Sequence, residues 1–367
     1  MKRHQNSLIE KYIKLNLDKK NPNCRIYSLA VFLNFNGIKI SVDELILLAM
    51  TYWIRACYVK NYNKLNLVLP FAFPDNIEEV IFDKLNIQYR NIGQTIKRIT
   101  DVDYYIEKKI PLLMTFDCNK LNKRQSSKNI NIGVLSTAVV LARNDESLVF
   151  NSLGGGKEFV VPFEQFSESR YSGLMPVSAK GEVFVIDGIE NLKEVRKIIT
   201  EQIYETANNF LKEKNEAQVF DNEHGIFQYE GCRSFDVIVS YIEDLKEQLG
   251  SIDERLANKL FRLICSALRR GIASGSGSLS RIEYGVALKR MAEKEQCKEL
   301  KMAANLIVKA GNRWRNLARK LYSPCVSYSK MDKYLMDLSA ELYYIKEIEV
   351  EAMKRIVGFN ELKADLM

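Results

Sequence analysis

Histidine is nearly missing from this sequence: His4 and His224 are the 2 imidazoles in 367 residues. Multi-histidine metal sites are therefore excluded, and any cysteine–histidine catalytic pair has to use one of these two residues. Cysteines are present, but in no paired spacing. Cys24, Cys57, Cys118, Cys232, Cys265, Cys297 and Cys325 make an odd total of 7, which fits neither a disulfide framework nor a zinc site and implies reduced thiols. The sequence calls for no metal ion and no cofactor. Long hydrophobic runs are missing as well. No apolar stretch approaches the ~20 residues that span a bilayer. Met1-Lys2-Arg3-His4-Gln5-Asn6 leads into a short amphipathic pattern and does not read as a secretory leader. These absences predict a cytoplasmic protein without membrane contact.

The hydrophobic fraction of 47% over this length predicts a globular chain of two domains. The net charge of +8 points to an acidic partner. No nucleic-acid motif or aromatic–basic interleaving accompanies that charge, so nucleic acid is not the expected partner, whereas an acidic carrier protein fits it.

One stretch organises the N-terminal part: Asn21-Pro22-Asn23-Cys24-Arg25-Ile26-Tyr27-Ser28-Leu29-Ala30. Pro22 between asparagines biases the backbone to a turn. Leu29, Val31, Phe32, Leu33 and Phe35 then read as a buried helix that Asn36-Gly37 ends. Cys24 is thereby placed on the first turn, where unpaired N–H groups and the helix dipole favour the thiolate, the nucleophilic form. The competing reading is a small apolar residue filling a gap.

Ser41-Val42-Asp43-Glu44 predicts a capping box opening another helix. Leu67 to Pro74 holds too much proline for a central strand and reads as a buried loop or an edge strand. Short β-type runs follow at Leu112–Phe116, Thr137–Ala142, Ser147–Asn151, Glu158–Pro162 and Gly181–Asp187, with Gly154-Gly155-Gly156 as a hairpin turn. Helices followed by an antiparallel sheet make an α+β order. Beyond Asn191 the apolar spacing is helical almost throughout, predicting an all-α C-terminal domain. Its long apolar stripes are of the kind that pair in a homodimer. The expected boundaries are 1–188 and 189–367. Between these helices, Arg269-Arg270-Gly271 to Ser278 reads as a loop or as a place of close backbone approach.

Three segments, in this order, resemble the BtrH-like family, typified by acyl transfer from a carrier-protein thioester to an aminoglycoside amine in butirosin biosynthesis. The first is Asn23-Cys24 with its helix and Asn36-Gly37, where the family has its nucleophilic cysteine. The second is Gly133 to Leu141, with Leu148-Val149-Phe150-Asn151 and Val161 to Phe166 behind it. There the family has a glycine–histidine pair opening a strand and an aspartate ending the next. The third is Arg270-Gly271, Gly275-Ser276-Gly277 and Tyr284. The resemblance implies a papain-like N-terminal domain, a helical C-terminal domain, and a triad aligned with Cys24, Thr137 and Asn151. Thr137 stands in place of the histidine and Asn151 in place of the aspartate.

A threonine hydroxyl has no useful basicity near neutral pH, so Thr137 does not replace an imidazole as base. His224, in Asp221-Asn222-Glu223-His224-Gly225, is the alternative base, with Asp117 or Glu223 behind it. Two readings stay open. In one, Cys24 takes an acyl group from a carrier-bound thioester and passes it to a small-molecule amine. In the other, the chain has lost turnover and binds a metabolite or a biosynthetic partner protein.

Overall fold

The computed structural model describes residues 7–15, 17, 23–49, 52, 54–62, 65–72, 76–121, 135–151, 158–171, 179–189, 194–212, 218–221, 226–273, 275–322 and 330–364. In chain order the elements begin with α1 (Ser7–Lys14), α2 (Cys24–Phe35), α3 (Val42–Leu48), β1 (Ile54–Tyr62), β2 (Leu65–Ala72), α4 (Ile77–Leu85) and β3 (Ile87–Asn91). Then come α5 (Asp103–Glu107), β4 (Leu112–Asp117), α6 (Cys118–Leu121), β5 (Leu135–Arg143), β6 (Ser147–Phe150), β7 (Phe159–Pro162), α7 (Phe163–Ser169) and β8 (Val183–Ile189). The rest is α8 (Val195–Leu211), β9 (Gln218–Asp221), β10 (Ile226–Glu230), α9 (Arg233–Gly250), α10 (Glu254–Ile272), α11 (Arg281–Lys294), α12 (Lys298–Lys320) and α13 (Met331–Ala364). The protein is thus mixed α+β with antiparallel sheets. Among the described residues no helix is long and apolar enough to cross a membrane.

The chain forms two compact units, one of 1–45 and 75–198, the other of 46–74 and 199–367. The first unit holds a six-stranded antiparallel sheet in the order β3-β8-β4-β5-β6-β7. One face of its central strands buries Met114, Phe116, Ala138, Val140 and Phe150 under Phe166. Helix α2 packs on β5 and is buried along nearly its whole length. Local chemistry sets its ends. The Asn23 side chain accepts from the Ile26 N–H at 3.1 Å, and Gly37 takes φ +87° after the Asn36 cap. Ser41 and Glu44 form the expected capping box at the start of α3, with the Ser41 N–H donating to the Glu44 carboxylate at 2.7 Å.

The second unit departs from the all-α domain expected for 189–367. It contains a four-stranded antiparallel sheet, β2-β1-β10-β9, so the all-α reading is corrected. Strand β1 comes from the N-terminal half and pairs with β10 in the register Arg55↔Glu230 to Val59↔Ile226. A pairing between such distant segments leaves no local trace. The proline-bearing stretch is the edge strand β2, in which Pro70 lies opposite Ala56.

Around this sheet the helices pack closely through glycine. A Cβ on Gly271 would meet the Pro70 carbonyl oxygen at 2.2 Å, so α10 sits against β2 only because that side chain is missing. Gly285 and Gly311 do the same between α11 and α12. At the centre of the unit, Arg281 and Glu349 form a fully buried ion pair at 2.9 Å, and the Trp314 indole donates to the same carboxylate at 2.8 Å. The expected triple-glycine hairpin at 154–156 and the Gly133-Val134 opening of β5 lie outside the described residues.

Candidate functional site

Helix α2 delivers Cys24 to the first unit's sheet at the start of β5, where its Sγ lies 2.9 Å from the Ser136 Oγ. Cys118 opens α6 directly after β4. Phe116, two residues earlier on β4, pairs with Ser136, and the Cys118 thiol also hydrogen-bonds the Ser136 hydroxyl. One hydroxyl therefore serves two thiols.

Burial pushes the Cys24 thiol above its ordinary value. The Ser136 hydrogen bond, the backbone N–H groups of Arg25 and Cys24, and the Arg25 charge all pull the other way and are outweighed. The expectation that a helix start would yield a thiolate is thereby corrected: desolvation of the sulfur exceeds the help of the helix end. Burial raises Cys118 too, with Cys24 adding to it. Arg25 is itself held away from the sulfur's service, since its guanidinium makes a two-pronged pair with Glu78 at 2.7 and 2.5 Å.

The other two residues expected at the centre, Thr137 and Asn151, are only partly brought to Cys24. Thr137 lies on β5 opposite Thr115, with its hydroxyl 3.5 Å from the Arg25 carbonyl oxygen. Asn151 follows β6. Its Oδ1 accepts from the Val139 N–H at 2.5 Å and its Nδ2 donates to the Ser28 Oγ at 3.1 Å. The side chain hydrogen-bonded to Cys24 is Ser136, neither Thr137 nor Asn151. Both strand residues meet the first turn of α2, Ser136 at the Cys24 sulfur and Thr137 at the Arg25 carbonyl oxygen. The neighbouring serine was visible in the sequence, but only the packing of α2 on β5 selects it.

His224 and Glu223 lie outside the described residues. Asp117 is buried at the end of β4, beside Cys118. Among the described residues no hydrogen bond joins Cys24 to an imidazole or a carboxylate, and no group of three metal-ligating side chains could hold a metal ion. The third family-like segment is structural in part: Gly271 meets Pro70, and Tyr284 is fully buried with its ring 5.2 Å from that of Tyr52.

The family described as Domain of unknown function (DUF4872) matches residues 164–356, more than half of the chain. No curated protein matches it.

Proposed function

The chain belongs to the DUF4872 family, and we propose that its first unit is a papain-like domain of the BtrH-like kind in which the cysteine centre has lost turnover. It then serves to bind a biosynthetic metabolite or partner protein. Support for the papain-like reading comes from a cysteine at the start of a buried helix packed on an antiparallel sheet, with Thr137 on β5 and Asn151 directly after the adjoining β6. The observation that carries the loss of turnover is the Cys24–Ser136 contact at 2.9 Å. A serine hydroxyl takes up no proton at neutral pH, and burial keeps the thiol in its unreactive form. In a serine-protease triad, loss of the base costs on the order of 10⁶ in rate.

A second reading has its own observation. The N–H groups of Arg25 and Cys24 act on the sulfur, and donors so placed also stabilise an oxyanion. An activated thioester needs little further help, because its leaving thiolate departs readily. On this reading Cys24 accepts an acyl group from a carrier-protein thioester and an amine then takes it as an amide.

Intact mass after incubation with a butyryl-N-acetylcysteamine thioester separates the two. The binding reading expects the wild type and Cys24→Ala to acquire acyl adducts equally slowly. A Cys24-dependent adduct that an added amine then discharges overturns it and establishes the transferase.

A further inference from the structure

The outer face of α12 carries charge of one sign over most of its length. From Leu300 to Lys320 the helix carries Lys301, Lys309, Arg313, Arg315, Arg319 and Lys320 and no acidic residue, whereas the chain as a whole mixes 54 basic with 46 acidic residues. Its inner face is the apolar set of Ala303, Ala304, Ile307, Ala310, Trp314 and Leu317, all buried. Its outer face lines a cleft of about 730 Å³ with Lys309, Asn312, Arg313, Asn316, Arg319 and Lys320.

The single acid in that cleft, Glu341, is already paired with Arg313 at 2.9 Å, and Arg313 lies 4.0 Å from the Tyr344 ring centre. Lys309, Arg319 and Lys320 have no carboxylate partner among the described residues; Arg319 makes one long hydrogen bond to Asn316 at 3.4 Å. Lys309, Arg313 and Lys320 are spaced by four and then seven residues, which puts them on one side of the helix over ~16 Å.

We propose that this face of α12 docks an acidic helix of a partner protein, whose carboxylates repeat at the same four-and-seven spacing. Charge complementarity argues the occupant. A row of cations in which Arg313 alone has a carboxylate partner among the described residues, interleaved with asparagine amides, matches a helix surface that offers carboxylates and polar side chains by turns. A nucleic acid is a poorer match: base stacking needs an open aromatic face, and Tyr344 is taken up by Arg313. The docking surface lies wholly in the second unit and does not depend on whether Cys24 turns over.

The test uses the full chain and a fluorescent, alanine-rich helical peptide bearing glutamates at the spacing of Lys309, Arg313 and Lys320. The expected result is binding that weakens as salt is added and that falls at least about tenfold in the triple variant Lys309→Glu, Arg319→Glu, Lys320→Glu. These side chains are exposed, so the variant should keep the wild-type melting curve. A lysine-bearing peptide of the same spacing should bind the triple variant better than the wild type. Undetectable binding overturns the proposal. So does equal binding of a peptide with its glutamates scattered round the helix, an unaffected triple variant, or tighter binding of a duplex oligonucleotide than of the peptide.

Discussion

The Ser136 hydroxyl stands 2.9 Å from the Cys24 sulfur. Because the thiol is raised by burial and lowered by Ser136, the two terms have opposite and separable consequences. Alkylation of Cys24 by iodoacetamide at neutral pH should be slower than that of free cysteine. It should become slower still in Ser136→Ala and accelerate as the pH is raised. Peptide mass spectrometry with a pH series checks this, and a Cys24 that outpaces free cysteine at pH 7 contradicts it. The same shift predicts a pH dependence of stability. A folded-state value above the unfolded one, about 8.5, contributes stability that is fully present below the unfolded value. That contribution is lost as the pH rises through the folded value, so the unfolding midpoint should fall on the alkaline side.

Asn151 ties α2 to the sheet by bridging the Val139 N–H and the Ser28 hydroxyl. Asn151→Ala strands a buried backbone donor and should cost about 2–3 kcal/mol in urea unfolding. Its side chain makes no hydrogen bond to Cys24, so the alkylation rate of Cys24 in the folded variant should stay at the wild-type value. A changed rate at unchanged stability would instead mark Asn151 as part of the cysteine's chemistry.

The Arg25–Glu78 pair is buried on both sides, with side-chain exposures of 9% and 1%. Removing one partner should be far worse than removing both. Glu78→Ala is expected to lose about 3–5 kcal/mol, and the double variant Arg25→Met, Glu78→Leu distinctly less. Chemical denaturation of the two variants decides it; a double variant as damaged as the single one would show the pair to be net stabilising.

Gly271→Ala should cost about 2–3 kcal/mol, since the new methyl would lie 2.2 Å from the Pro70 carbonyl oxygen and overpack α10 against β2. Gly358→Ala is the matched control. It lies in α13 with nothing within 4 Å of its would-be Cβ, so it should gain up to about 1 kcal/mol from helix propensity. Thermal melts of the pair should move in opposite directions.

The parts of the fold legible in the sequence were those decided within a few residues. The Asn23 cap and Gly37 stop of α2, the Ser41–Glu44 box and the edge placement of Pro70 all follow from local backbone chemistry. The β1–β10 pairing was not legible, because its partners Cys57 and Gln228 lie 171 residues apart in the chain and no local signal joins them. At the site, the missed partner of Cys24 was one residue from the expected one. Both residues meet the first turn of α2, and the packing of that turn on the start of β5 puts Ser136 at the sulfur.

What the sequence by itself determined is a negative and a position. With two histidines in the chain the usual base is scarce, and Cys24 must open a buried helix because Pro22, Asn23 and the apolar run behind them leave little else. Tertiary structure alone decided what that position means. Packing α2 onto β5 desolvates the sulfur, sets Ser136 beside it and commits Asn151 to Val139 and Ser28. A helix end favours a thiolate through a few local N–H groups, but desolvation is summed over every element that packs around the sulfur, and here that sum is the larger.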